Sequence, residues 1–191
     1  KNEPEIFKKI FKVLLPKDYL RFRLTNLYFT DMSDASGTLW LNVKDRKWSE
    51  ELLNLTDLKI SNMPSLLEGN KSSGILSEKI KNEFGFEKKV IVAGGAGDQA
   101  AGAIGSGVIK FDQSMISLGT SGVCFSPTNS FSPKTDQAVH SFCHCLPNTW
   151  HHMSVMLSAT SCLSWISNIH KLKVNESIKK AESFFNKKEE L

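Results

Sequence analysis

Near the start of the chain, Ile6, Phe7, Ile10, Phe11, Leu14 and Leu15 recur at helical spacing. The pattern predicts a helix over 5–15, stopped or bent by Pro16. A shorter amphipathic piece over 19–27 places Leu20, Leu24 and Leu27 on one side. The small polar run Thr30–Thr38 follows, with Ser33 and Asp34 as candidate N-caps. Trp48 to Leu53 reads as a helix start, with Ser49 as the cap and Glu50 and Glu51 in the first turn. Met63-Pro64 ends that region. Leu76 to Phe84 reads as a helix closed by Gly85, where a left-handed cap residue belongs.

The texture then changes to short β-branched runs. Lys89–Ala93 predicts a buried strand entering Gly94-Gly95-Ala96-Gly97-Asp98, and a small-residue helix runs from Gln99 to about Gly105. Ser114–Leu118 reads as a strand, Gly119-Thr120-Ser121-Gly122 as a tight turn and Val123–Phe125 as the returning strand. A polar loop over 126–135 precedes strands at 139–146 and 150–156, a helix from about Ser158, and a last amphipathic helix over 172–185 carrying Leu172, Ile178, Ala181 and Phe185. Helices, then strand–loop–helix, then strands, then helices predict an α/β protein. The boundary falls near 105–110, with no internal repeat.

Bulk composition narrows the classes. With 191 residues, 40% of them hydrophobic, the chain suits a globular protein of one large domain or pieces of two. Its 24 basic and 20 acidic residues leave a formal charge of +4, and the lysines alternate with acidic or apolar residues near the ends. No basic stripe interleaved with aromatics marks a nucleic-acid surface. No run of about 18 apolar residues or signal peptide points to a membrane. The expectation is a cytoplasmic protein. The chain opens at Lys1 in helix-like sequence and closes in NKKEEL, which predicts a piece of a longer product. Its four cysteines (Cys124, Cys143, Cys145, Cys162) form no CxxC pair. On a strand, Cys143 and Cys145 share a face while His144 points away, so they read as core thiols rather than metal ligands alongside His151 and His152.

Chemistry concentrates in two motifs. In Ala93–Ala103, AGGAGDQAAGA, the glycines let the backbone bend sharply and approach a ligand, and Asp98 follows at the positive end of a helix dipole. An ionised carboxylate there can act as a general base, bind hydroxyls or simply cap the helix, and the residues alone leave these open. Gly95-x-Gly97-x-x-Ala100 after a strand also matches a dinucleotide fingerprint, with Val108–Asp112 as the next strand and its acid. Against it, Asp98 would face the pyrophosphate with like charge, and the distance to Asp112 is short. The second motif, Leu118–Gly122, places Thr120 and Ser121 between two glycines at a hairpin tip able to meet phosphate oxygens. Asp31, Ser33 and Asp34 read foremost as caps, the histidines as partly buried and hydrogen-bonded, and Trp40, Trp48, Trp150 and Trp165 as core.

An acid on a glycine loop followed 22 residues later by Thr120 in a hydroxyl-rich turn resembles the FGGY carbohydrate kinases, a branch of the actin-like ATPases. The residues that carry the likeness are LLPKDYLRFRLT (Leu14–Thr25), TDMSDASGTLWL (Thr30–Leu41), AGGAGDQAAGA, SLGTSGV (Ser117–Val123) and AVHSFCHCLPNTWHHMSVMLSATSCLSW (Ala138–Trp165). Within the family they are most similar to members acting on D-xylulose. The resemblance implies a two-domain kinase with ribonuclease-H-like cores. Residues 1–107 would be the end of the first, sugar-binding domain, and 108–191 the start of the second, ATP-binding one. It implies Asp98 as the base, Gln99 as a ligand of substrate hydroxyls, and Gly119, Thr120, Ser121 and Gly122 as a turn meeting the phosphates of ATP. Where relatives carry a glycine triplet this chain has Gly94-Gly95-Ala96-Gly97, a mild departure.

The implied reaction moves the γ-phosphate of ATP, with Mg2+, to a hydroxyl of D-xylulose. Glycerol or another ketose or polyol is the alternative, and a dinucleotide-binding dehydrogenase the more distant one. The family's first phosphate turn with its magnesium ligands, and its adenosine segment, fall outside these residues. The 191 residues alone are therefore expected to be inactive, within a longer product that could be a homodimer.

Overall fold

In the computed structural model, which describes residues 2–188, Pro16 opens a helix rather than ending one. Helix α1 is confined to Pro4–Phe7, and 10–15 runs without helix, Val13 N–H donating to Asn62 O at 2.8 Å. Two causes shorten it. No side chain caps Glu3, and the Pro16 ring holds Leu15 extended (φ −71, ψ 158). Pro16 then sits in the first turn of α2 (Pro16–Thr25), where its missing N–H removes no helical bond. Asn26, left-handed at φ 60, closes that helix.

The buried face of α2 is the opposite of the one expected. Leu20 and Leu27 are exposed, while Asp18, Arg21 and Thr25 are buried at i, i+3 and i+7. An inward polar stripe is stable only when its charges are paired, and these are. Strand β1 (Phe29–Asp31) leads into α3 (Met32–Ala35), whose N-cap is Asp31 rather than Ser33 or Asp34. The hairpin of β2 (Leu41–Asn42) and β3 (Lys47–Trp48) precedes α4 (Glu50–Asn54), capped by Ser49 as its sequence suggests. β4 (Ser65–Leu67) returns to pair in parallel with β1, Phe29 opposite Ser65.

Further along, β5 (Ser72–Ile75), α5 (Glu78–Glu83) and β6 (Ile91–Ala93) bring the chain to the glycine turn and α6 (Asp98–Gly105). Gly85 is left-handed after α5 (φ 69), as its position implies. β6 is not the buried strand expected: it pairs antiparallel with β5 alone and Ile91 is exposed. Val108–Asp112 is no strand, so no parallel crossover follows α6. That removes the dinucleotide reading, which needs a βαβ unit. The remaining elements are β7 (Met115–Leu118), β8 (Gly122–Thr128), β9 (His140–Cys143), β10 (Trp150–Met156), α7 (Thr160–Ile169) and α8 (Val174–Lys188).

Two compact units result. The first comprises Lys1–Ser114 and Phe125–Met153. Its core has two clusters: Ala35, Leu41 and Cys143 with Trp150 and Leu66 against them, and Leu53, Leu58 and Met63 with Val13 and Trp40, Trp48 touching both. A fully buried leucine such as Leu53 contributes about 1.5–3 kcal/mol. The indoles are satisfied as buried donors must be, Trp48 on Pro64 O (2.9 Å) and Trp150 on Val43 O (2.8 Å). In this unit β9 and β10 are antiparallel, Cys143 opposite Trp150 and His140 opposite Met153.

The second unit comprises Met115–Cys124 and Ser154–Leu191. It holds β7, the first residues of β8, the last of β10, and helices α7 and α8. Trp165, expected in a core, is 65% exposed there, and Phe185 on α8 is exposed as well.

Candidate active site

Four tethers hold the glycine turn ahead of Asp98. Gly94 N–H donates to Lys71 O at 2.8 Å and Gly95 N–H to Gly69 O at 3.0 Å. Arg21 Nη2 donates to Gly94 O, and Gly97 N–H donates to Ser33 Oγ at 2.9 Å. A Cβ on Gly94 would stand 2.7 Å from Glu68 O, so only glycine fits, and Gly95 is left-handed at φ +78. Hydrogen bonds on both sides thus hold the tetrad in place.

Gly97 is the N-cap of α6 and Asp98 its first helical residue. The Asp98 carboxylate is exposed and accepts Gln99 N–H at 2.7 Å, one of the amides that a helix start leaves without an internal partner. Asp98 thus follows the N-cap rather than supplying it, and its carboxylate stays open to solvent. Asp98 and Gln99 border a groove of about 160 Å3. Ser33, Asp34 and Gly37 form its polar wall, and Phe142, His151 and Met153 face them. A small polyol suits such a cleft: carboxylates and an amide for its hydroxyls, apolar side chains for its carbon face.

Beneath the polar wall lies a cluster of charges that local pattern did not reveal. Lys17 Nζ stands 2.6 Å from Asp31 Oδ2, 2.9 Å from Asp18 Oδ1 and 3.4 Å from Asp34 Oδ2. Arg21 Nη1 adds a contact to Asp18 at 3.2 Å and donates to Phe29 O at 2.9 Å. Burial opposes the charge on Lys17, but hydrogen bonds to Asp31 and Asp18 and their negative charge outweigh it, and its pKa rises. Asp34 is also raised: burial disfavours its charge and Asp31 repels it, against partial relief from Lys17. Asp31 is both a cap, as read, and the centre of this cluster.

Sequence patterns also missed the far wall. His151 is 3% exposed and stacks on Phe125 at 4.1 Å, with His144 edge-on at 5.8 Å. Burial lowers His144 to about 4 and His151 to about 3, so both rings are neutral near pH 7. His144 is hydrogen-bonded as expected, its Nδ1 accepting Leu146 N–H at 3.1 Å, whereas His144 Nε2 and His151 Nδ1 are buried without hydrogen-bond partners among the described residues. His152 Nε2 lies 2.9 Å from Ser132 Oγ. β9 stops at Cys143, so Cys143 and Cys145 do not share a strand face as spacing suggested. Cys145 Sγ lies 3.4 Å from His144 Nδ1, and burial pushes its thiol up to about 11.

In the second unit, the Gly119–Gly122 turn is seated on the start of α7. Ala159 N–H donates to Thr120 O (2.7 Å), while Thr160 donates to Gly119 O through N–H (3.2 Å) and Oγ1 (2.6 Å). Ser121 Oγ donates to Leu157 O at 3.0 Å, leaving Thr120 as the exposed hydroxyl without such an anchor. Gly122 is buried, its Cβ position 3.1 Å from Ala159 Cβ, so packing accounts for this glycine.

Comparison with known proteins adds context. Residues 1–105 match the profile described as FGGY family of carbohydrate kinases, N-terminal domain. Over 169 residues, 88% of this chain, it is 52% identical to a xylulose kinase of Escherichia coli strain K12 and covers 35% of that protein. It is 48% identical, with the same coverage, to a xylulose kinase of Klebsiella pneumoniae. Among solved structures, a xyloylose kinase from Brucella ovis superposes with a TM-score of 0.89 at 50% identity, over 92% of this chain and 36% of that one. A ligand-bound xylulose kinase from Lactobacillus acidophilus shares the fold at TM-score 0.86 and 20% identity, over 96% of this chain and 38% of its own. The chain thus spans about a third of the length of these relatives.

Proposed function

Because the chain belongs to the FGGY family of carbohydrate kinases, we propose that it supplies the sugar-facing part of an enzyme that transfers the γ-phosphoryl group of ATP to D-xylulose, giving D-xylulose 5-phosphate and ADP. The observation that carries this reading is the Asp98 carboxylate at the mouth of a polyol-sized groove, presented by a turn tethered on both sides. The 52% identity with a xylulose kinase supports the choice of sugar.

In this reading Asp98 accepts the proton of the attacking hydroxyl as that oxygen bonds to the γ-phosphorus and the bond to the β-phosphate oxygen breaks. The transition state is loose, so positioning outweighs basicity, and Asp98 orients the hydroxyl and takes its proton late. Gln99 offers its amide to a second sugar hydroxyl. The Gly119–Gly122 turn meets phosphate oxygens, with Thr120 the donor best disposed to do so. Residues 1–107 close the sugar-binding domain and 108–191 open the ATP-binding one. Bound with ATP, Mg2+ would supply charge neutralisation at the phosphates, and no residue of this chain is assigned to it. The longer protein works in the cytoplasm and pairs as a homodimer.

The test is a chimaera in which the aligned 169 residues replace their counterpart in the Escherichia coli enzyme. ADP release should depend on D-xylulose more than on glycerol or other ketoses, and the isolated 191 residues should show no turnover. Changing Asp98→Asn should lower turnover by roughly two to four orders of magnitude. A folded chimaera indifferent to D-xylulose, or to Asp98→Asn, would overturn the reading.

A further inference from the structure

We infer that Ser33 is a positioning residue for Asp98, passing the order of the Lys17–Asp31 pair to the catalytic turn through the Gly97 amide. This rests on the kinase reading above. The path is short and its proton directions are determined. Asp31 is fully buried, and its Oδ1 accepts from Ser33 N–H (3.0 Å), Asp34 N–H (3.1 Å) and the Ser33 hydroxyl, while Oδ2 faces Lys17 at 2.6 Å. A carboxylate only accepts, so the Ser33 proton points at Asp31 and a lone pair is left for Gly97 N–H. Bonds to an ionised partner in a dry setting are stronger than neutral ones, which stiffens the relay.

Gly97 has little room to drift. Its Cβ position lies 3.5 Å from Asp34 Cα, so the turn rests on the first turn of α3. Asp98 is the next residue, and the Gly97 carbonyl anchors α6 by accepting Ala101 N–H at 2.9 Å. Ser33 therefore joins the starts of α3 and α6 across 64 positions of sequence. It borders the groove but acts on the reaction through the backbone that carries Asp98.

The test has two arms. In the 191-residue chain, Ser33→Ala should speed hydrogen exchange of the Gly97 amide at least about tenfold while the amides of His151 and Phe142 stay as they were. In the chimaera, Ser33→Ala should lower kcat by roughly tenfold to a hundredfold with a smaller change in the sugar KM, because misplacement by an ångström costs on that order. Ser33→Thr, which keeps the hydroxyl, should restore both measurements. Unchanged Gly97 exchange in Ser33→Ala overturns the inference, as does faster exchange with unchanged kcat. A silent Asp98→Asn instead sinks the kinase reading and leaves the Gly97 exchange result intact, so the two failures are separable.

Discussion

Lys17 Nζ lies 2.6 Å from Asp31 Oδ2 and 3.4 Å from Asp34 Oδ2, so the ammonium that also meets Asp18 ties α2 to the start of α3. Removing it leaves Asp31 buried with a negative charge and no counterion. Lys17→Met should destabilise the chain by about 3 kcal/mol, at the low end for broken buried pairs because Lys17 is partly exposed. Urea unfolding at pH 7 measures this. The pKa of Lys17 is raised in the folded state, so its contribution is complete below about pH 10.5 and is lost as pH climbs through the folded value. A Lys17→Met variant as stable as the parent would refute the ion-cluster argument.

Asp34 loses stability in the same direction but in a lower pH window. Its pKa is raised by burial and by Asp31, so the folded state holds its proton more tightly than the unfolded chain and stability falls as pH rises past the ordinary carboxylate range. Asp34→Asn should therefore be neutral or mildly stabilising at pH 7. Combined with Lys17→Met it should recover part of that variant's loss, a coupling of about 1 kcal/mol read from a double-mutant cycle. Strictly additive effects would show that the two side chains do not interact.

The buried imidazoles make acid the weak side of the first unit. Both are lowered from the ordinary value of 6.5, to about 4 for His144 and about 3 for His151, so the unfolded chain binds more protons as pH falls below 6.5. The resulting loss is on the order of a few kcal/mol by about pH 4. His151→Phe keeps an aromatic ring against Phe125 and removes one titration. Its stability should decline less than the parent's between pH 6.5 and 4. Parallel declines would show that His151 is not the group responsible.

Features set by adjacent residues were legible in the sequence. The cap at Ser49, the left-handed Gly85 and Asp98 at the head of a small-residue helix each follow from a few neighbours. The inverted face of α2 was not, because Arg21 is held by Phe29 O and Gly94 O and Lys17 by Asp31, partners that adjoining sequence does not name. His151 at the groove was missed for a similar reason: its place depends on the register that sets it opposite Phe142. Ser33 was read as a cap from its spacing, but Asp31 takes that role and turns the Ser33 hydroxyl toward Gly97.

Two glycines of similar appearance should respond differently to alanine. At Gly94 a new Cβ meets Glu68 O at 2.7 Å, and the Arg21 contact to Gly94 O leaves the backbone no freedom to retreat. Gly94→Ala should cost about 1–3 kcal/mol or more. At Gly119 the nearest atom to a new Cβ is Ser121 O at 3.8 Å. Gly119→Ala should stay within about 1 kcal/mol of the parent, with reduced unfolded-state entropy working in its favour. Thermal unfolding of both variants tests the contrast, and equal losses would refute it.

Asp98 and Gln99 are neighbours on the same groove, yet their kinetic signatures should separate. In the mechanism proposed above, the proton of the attacking hydroxyl moves to Asp98 only during reaction, so Asp98→Asn should act on kcat. The hydrogen bond proposed from Gln99 to a second hydroxyl would be made equally in ground and transition states, so Gln99→Ala should raise the sugar KM with kcat little changed. A bond worth about 1–1.5 kcal/mol corresponds to roughly a tenfold rise. Steady-state kinetics of the chimaera with D-xylulose distinguishes the cases. If Gln99→Ala lowers kcat as steeply as Asp98→Asn and leaves KM alone, Gln99 helps to place the reacting oxygen and the division of roles proposed for this pair is wrong.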